Sequence, residues 1–229
     1  MTTSRTPATI AIDGPSGSGK STVSRAVATR LGLAYLDTGA MYRALTWWCL
    51  EQGVDLDDPD SVAAAARELP LRMGTDPRSP SVHVDETAVD GPIRTTRISS
   101  VVSKVASVPA VRTELVARQR RIMQDAASHG AGVVAEGRDI TTVVAPDADV
   151  RVLLLADEHA RLARRAKELH GHSGEDAVAA TRDQVSRRDR DDSTVSQFLR
   201  AAPGVVTVDT STLDLEQSIE AVLKVVENG

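Results

Sequence analysis

The run Gly14-Pro15-Ser16-Gly17-Ser18-Gly19-Lys20-Ser21 constrains this chain more than any other stretch, because it satisfies G-x-x-x-x-G-K-[ST] without a departure. Its setting matters more than its spelling. An apolar run over residues 9–13 precedes it, and behind it Val23, Val27 and Leu31 recur at helical spacing until Gly32 stops the run. A strand, a glycine-rich turn and a helix N-terminus in that order make a cradle for phosphate. Main-chain N–H groups turn inward there, and the positive end of the helix adds to them. Gly14, Pro15, Ser16, Gly17, Ser18, Gly19, Lys20, Ser21 and Thr22 are therefore the expected ATP-binding residues. Lys20 is expected to reach the β- and γ-phosphates, and the Ser21 hydroxyl is the expected protein ligand for Mg²⁺.

Short β-branched runs alternate with longer helical patterns at both ends of the chain, which signals an α/β fold with a parallel sheet flanked by helices. Strands are expected at residues 9–13, 34–37, 132–135, 150–155 and 205–209. All are short and apolar, as strands covered on both faces tend to be. The last helix shows Leu215, Ile219, Val222, Leu223 and Val226 on one face, with Asp214 at the N-cap position and Gln217 three residues on. Residues 69–98 break the alternation. Prolines at 70, 77, 80 and 92 separate short alternating pieces such as Val82-His83-Val84 and Thr87-Ala88-Val89, the mark of a small antiparallel insertion. Helical stretches are expected over roughly 96–107 and 109–128.

With 41% of its 229 residues hydrophobic, the chain can bury an ordinary globular core. A formal net charge of -5 argues against a broad basic field for nucleic acid or membrane, so bound phosphate must be met by local cations. The lone Cys49 has no partner for an internal disulfide, and no Cys/His spacing resembles a zinc framework. His170 and His172 read as solvent-exposed. No apolar run approaches the ~18 residues of a membrane span, and residues 1–7 lack a secretory apolar stretch. A cytoplasmic protein is expected.

A phosphate-binding loop alone leaves switch proteins, motor ATPases and kinases open. No Asn-Lys-x-Asp guanine-reading element is present. Instead the second strand leads into Leu36-Asp37-Thr38-Gly39-Ala40-Met41-Tyr42-Arg43, and the third into Val134-Ala135-Glu136-Gly137-Arg138-Asp139. Ligands of doubly wound sheets sit beyond the carboxyl ends of the strands, so each run carries an arginine to the edge the loop occupies. Guanidinium forks match phosphate oxygens two at a time, which suits a second phosphorylated substrate.

With these runs in this order, the chain resembles the bacterial cytidylate kinases (CMP/dCMP kinases) over nearly its whole length. The shared elements are the GPSGSGKST loop, the LDTGAMYRA run, the antiparallel insertion, the segment 103–112, the EGRD run and an arginine- and aspartate-rich stretch near Arg188. The resemblance implies a P-loop NTPase-type three-layer α/β/α core with a five-stranded parallel sheet, over residues 8–60 and 129–229. It implies an NMP-binding insertion over 61–128 and a helical lid at about 170–200 within the core. It further implies ATP-dependent phosphorylation of CMP and dCMP with Mg²⁺. Thr38 and Arg43 would contact the acceptor ribose and phosphate, and Arg138 would grip that phosphate. Ser103, Arg112 and Asp139 would read the cytosine edge, while Arg188 and Asp192 would meet the phosphates and the sugar hydroxyls. Lys20, Arg43, Arg138 and Arg188 form the implied catalytic set.

The chain departs from the family pattern at Val195, where similar proteins carry a further arginine; Arg187, Arg190 and Arg200 are the candidates to replace it. Glu136 is open between organising Mg²⁺-bound water and a structural hydrogen bond. Arg161, Arg164 and Arg165 are open between flanking adenine and decorating a helix. Two other functions stay open on the residues: a kinase of a small-molecule hydroxyl with Asp37 as base, and a nucleotide-binding regulatory protein without an acceptor. The expected partners are small nucleotides (ATP, CMP, dCMP), with no nucleic acid and no membrane, and the expected state is a monomer.

Overall fold

The computed structural model describes residues 9–130, 132–170, 174, 176, 179, 181–182 and 198–228. The expected lid residues Arg187, Arg188, Arg190, Asp192 and Val195 lie outside the described residues, as do residues 1–7 and the side chains of His170 and His172.

Among the described residues the core is a five-stranded sheet in the order β2-β6-β1-β7-β8. These strands are β1 (Thr9–Asp13), β2 (Ala34–Asp37), β6 (Val133–Gly137), β7 (Val150–Leu155) and β8 (Val206–Asp209). All four pairings are parallel. Alternation of side chains divides the core into two apolar layers. Ile10, Ile12, Val134 and Val152 face α1 (Lys20–Leu31) and the last helix, α8 (Leu215–Asn228), meeting Val23, Val27, Ile219 and Val222. On the opposite face Ala11, Leu36 and Ala135 meet Met41 and Leu45 of α2 (Thr38–Glu51) and Leu115 of α6 (Pro109–Ser128). Small residues on that face let the helices approach. The expected three-layer arrangement is observed.

The insertion is a small antiparallel sheet, β3-β4-β5, made of β3 (Leu71–Gly74), β4 (Ser81–Val84) and β5 (Thr87–Ala88). It follows α3 (Pro59–Glu68), which starts with proline at its first position and Asp58 as N-cap. Local signals also fix the ends of α1 and α8. Gly32 takes the left-handed conformation, φ 68°, and its N–H reaches the carbonyls of Ala28 and Thr29. At the start of α8, the Gln217 N–H donates to Asp214 Oδ1 at 2.8 Å, and the Asp214 N–H donates to Gln217 Oε1 at 3.0 Å.

Three boundaries differ from expectation. The stretch 96–107 is not one helix but two, α4 (Thr96–Ser99) and α5 (Val102–Ala106). Ser100 donates its hydroxyl to the Arg97 carbonyl, competing with helix continuation, and Val101 leaves the helical region at φ -124°, ψ -5°. Strand β6 runs to Gly137 rather than 135, because β1 continues opposite it through the pairs Ile12 with Glu136 and Asp13 with Gly137. Strand β8 starts at Val206 rather than 205. Among the described residues no helix is long and apolar enough to cross a membrane.

Candidate active site

Strand β1 delivers the chain into the glycine-rich loop, and the loop's shape depends on the absence of side chains. A Cβ on Gly14 would lie 2.3 Å from the Leu154 carbonyl oxygen; one on Gly17, at φ +78°, would lie 2.6 Å from the Arg161 carbonyl oxygen. The strand β7 and the helix α7 (Glu158–His170) therefore press directly on the loop. Two arginines of α7 brace it. Arg161 Nη1 donates to the Ser16 carbonyl at 3.1 Å, and Arg164 Nη1 donates to the Ser18 carbonyl at 3.3 Å. Arg164 also donates to the Thr210 carbonyl at 2.6 Å, which ties the loop to the segment beyond β8. These two arginines hold the loop's carbonyls.

Lys20 and Ser21 open α1 and meet Glu136 at the end of β6. Ser21 Oγ donates to Glu136 Oε1 at 2.5 Å, and Lys20 Nζ lies 3.8 Å from Glu136 Oε2. Tyr35 of β2 donates its phenol to Glu136 Oε1 at 3.1 Å. Burial, with Glu136 and Asp37 nearby, pushes the Tyr35 pKa up, so the phenol remains a donor. Buried Glu136 thus joins the loop lysine, the loop serine and the neighbouring strand.

Asp37 ends β2 beside Glu136 in the register of the two strands. One oxygen accepts the Ala40 N–H at 2.8 Å and caps α2. The other accepts Arg43 Nη2 at 3.1 Å and Arg94 Nη2 at 3.2 Å. Burial alone would raise the Asp37 pKa; Arg43, Arg94, the Ala40 N–H and Lys20 outweigh it, so the net shift is downward and the group stays ionised. Arg43 is 9% exposed, and among the described residues its Nε has no hydrogen-bond partner. A buried donor left unmatched calls for an explanation, and the remainder of the Arg43 guanidinium lines the cleft described below.

After β6 the chain turns sharply through Arg138 and Asp139 into a wide turn at Ile140–Val144. Asp13 holds that turn, accepting the N–H groups of Ile140 at 2.9 Å and Thr141 at 2.8 Å and the Thr141 hydroxyl at 2.6 Å. Arg138 Nη1 donates to the Gly14 carbonyl at 2.5 Å. Asp139 pairs with Arg112 of α6. Thr38 Oγ1 donates to the Glu136 carbonyl at 2.8 Å, directly over Gly137.

The expected residues Lys20, Ser21, Thr38, Arg43, Arg112, Arg138 and Asp139 line one cleft, together with Arg94 and Arg165. The adjoining cleft beyond Lys20 and Ser21 is lined by Gly17, Ser18, Gly19 and Thr22 of the loop, by Arg164, and by Leu213 and Leu215. Ser103 is half-buried on α5, where Val102 and Ala106, rather than Ser103, line the first cleft. Arg200, a candidate to replace the missing lid arginine, is exposed. Sequence reasoning missed Arg94, Tyr35 and Asp13. Arg94 sits in the insertion with no motif around it. Asp13 carried a signal, an acid closing the apolar run Ile10-Ala11-Ile12.

The Cytidylate kinase family profile matches residues 10–228. The cytidylate kinase of Streptomyces griseus subsp. griseus is 48% identical over 226 residues, covering 98% of this chain and 95% of the relative. That of Streptomyces coelicolor is 51% identical over 219 residues, covering 95% and 92%. The cytidylate kinase of Nocardia farcinica is 48% identical over 222 residues, covering 96% and 94%. A match that runs from within β1 to the end of α8, at about half identity across the glycine-rich loop, the insertion and both arginine-bearing strand ends, means that the chain belongs to the cytidylate kinase family.

Proposed function

We propose that this protein transfers the γ-phosphoryl group of ATP to CMP and dCMP, forming the corresponding diphosphates. The observation that carries the acceptor half of this reading is the set of guanidinium groups, Arg43, Arg94 and Arg138, that line the same cleft as Lys20. ATP lies along the glycine-rich loop, with its phosphates toward Lys20 and Ser21. The acceptor phosphate lies against Arg43 and Arg138. The Arg112–Asp139 pair offers cytosine both a donor and an acceptor, matching its amino group and adjacent acceptors. A base that left this pair unmatched would be rejected. Thr38 faces the acceptor ribose. Ser103, Arg188 and Asp192 belong to the proposed substrate contacts on family resemblance alone.

The polar set around Ser21 fits Mg²⁺. The serine hydroxyl donates to the buried carboxyl of Glu136, and Asp37, whose pKa is lowered by its arginine neighbours, supplies negative charge nearby. Ser21 would hold the ion, and Glu136 would orient its water. The ion would offset charge on the phosphates of ATP.

In the transfer step an acceptor phosphate oxygen forms a bond to the γ-phosphorus, and the bond from that phosphorus to the β–γ bridging oxygen breaks, with ADP keeping the electron pair. A phosphate monoester has its second pKa near ~6 and is already largely ionised at neutral pH, so no base is required. Lys20, Arg43 and Arg138, with Arg188 from the lid, neutralise the moving charge and align the two ends. The alternative with Asp37 as base fits poorly. Its carboxylate is held by two arginines and its pKa is lowered, the opposite of what a general base needs.

The accompanying division is a core over 8–60 and 129–229 that includes a lid at about 170–200, and an NMP-binding insertion over 61–128. A cytoplasmic location is proposed, resting on the buried free Cys49, and a monomer is proposed with it. The test is ADP release measured across the ribo- and deoxyribonucleoside monophosphates. Turnover highest with CMP and dCMP supports the reading; turnover of an alcohol with indifference to every monophosphate refutes it.

A further inference from the structure

Phe198 is the one phenylalanine in the sequence, and it is 1% exposed. Its neighbour Leu199 is 52% exposed and Arg200 is exposed as well. The chain therefore runs along the surface here and sends a single aromatic side chain inward. The ring lies against Arg138, with the guanidinium carbon 4.9 Å from the ring centroid. That is within the ~6 Å at which a cation is drawn to the face of an aromatic ring.

Two of the contacts made by Arg138 differ in kind. The guanidinium carbon lies over the face of the Phe198 ring. The Gly14 carbonyl takes one N–H, at Nη1. The ring draws the cation to its face, and the hydrogen bond at Nη1 restrains the rotation of the guanidinium. A fork that must meet two phosphate oxygens at once gains from both constraints, because misorientation in either direction breaks the two-point match. An aliphatic side chain of similar volume would fill the same space without attracting the cation.

We propose that Phe198 is a positioning residue for phosphoryl transfer, orienting Arg138 toward the acceptor phosphate through the face of its ring. The proposal rests on the reading that Arg138 meets that phosphate. Because residue 198 is the only phenylalanine, growth of a phenylalanine auxotroph on fluorinated phenylalanines changes the untagged chain at this position alone. Fluorine drains the ring face of negative charge while nearly keeping its shape, so the fold is preserved where a truncation would risk it. The expected result is a stepwise fall in kcat/KM for CMP from the monofluoro through the difluoro to the pentafluoro ring, reaching roughly three- to thirty-fold. KM for ATP should stay within about twofold. In an Arg138→Lys background the same series should be markedly flatter, since the planar fork is gone. Phe198→Tyr should retain activity and Phe198→Leu should fall with the fluorinated series. A flat series in the natural background, or an equally steep one in Arg138→Lys, overturns the proposal. An Arg138→Ala protein with unchanged kcat/KM for CMP would instead sink the underlying assignment of Arg138, so the two failures are distinguishable.

Discussion

Replacing Asp37 by asparagine separates two jobs that one carboxylate performs. Asparagine still accepts the Ala40 N–H, so the cap of α2 survives, but the negative charge beside Arg43 and Arg94 is lost. Arg43 and Asp37 have side chains only 10% and 9% exposed, and breaking a buried pair by removing one partner costs about 3–5 kcal/mol. Asparagine can still accept from Arg43, which places the cost near the lower end. Arg94, with 52% of its side chain exposed, adds no more than about 1 kcal/mol. The total is about 3 kcal/mol, or roughly 6–12 °C in Tm for a chain of this size. Saturating CMP should restore part of this, because its phosphate replaces the lost charge. In the natural protein that phosphate must compete with Asp37 for Arg43. CMP should therefore raise the Tm of Asp37→Asn by roughly 2–4 °C more than it raises that of the natural protein, an extra stabilisation of about 1 kcal/mol. The pH dependence has a definite sign. The folded Asp37 pKa lies below the unfolded value of 3.8, so its contribution is complete above 3.8 and is lost as the pH falls through the folded value. The gap between the two proteins should be constant from neutral pH to about 5 and close below about 4. Differential scanning fluorimetry with and without CMP measures all of this. A variant that melts within about 2 °C of the natural protein, or an equal CMP shift in both, would refute the reasoning.

Gly137→Ala sets a Cβ 2.5 Å from Thr38 Oγ1 and 2.8 Å from Ile140 Cδ1, so kcat/KM for CMP should fall about tenfold or more in steady-state assays with KM for ATP little changed. Asp13→Asn places a donor against Ile140 or Thr141 and should cost about 1–3 kcal/mol in denaturant melts. Burial raises the Asp13 pKa, so the native state binds this proton more readily than the unfolded chain. The gap between Asp13→Asn and the natural protein should therefore widen as the pH falls toward 3.8, opposite in sign to the Asp37 case. Arg164→Ala removes its hydrogen bonds to the carbonyls of Ser18, Thr210 and Leu213 and should raise KM for ATP about tenfold while leaving KM for CMP within about twofold.

What could be read from the chain was whatever is encoded within a few residues. The glycine-rich loop, the stop at Gly32 and the box formed by Asp214 and Gln217 are local patterns, and each stands where the sequence places it. The two arginine-bearing strand ends share an edge because parallel strands place their carboxyl ends together. Other features depend on partners far along the chain. Arg94 reaches Asp37 across 57 positions, and Arg161 reaches the Ser16 carbonyl across 145. Nothing near either arginine in sequence distinguishes it from a surface cation. Strand β6 runs two residues past its expected end because β1, and at Glu136 also β2, lie alongside to pair with them. The split between α4 and α5 turns on one serine hydroxyl competing for a carbonyl, a contest that helical periodicity does not register.

The central claim is that the acceptor phosphate is gripped between guanidinium groups from two adjacent strand ends, across the cleft from the loop that holds ATP. A crystal structure of the protein with CMP tests this most directly. The predicted result has nitrogens of both Arg43 and Arg138 within about 3 Å of the phosphate oxygens of CMP. A well-ordered CMP whose phosphate lay beyond hydrogen-bond reach of both side chains would contradict it.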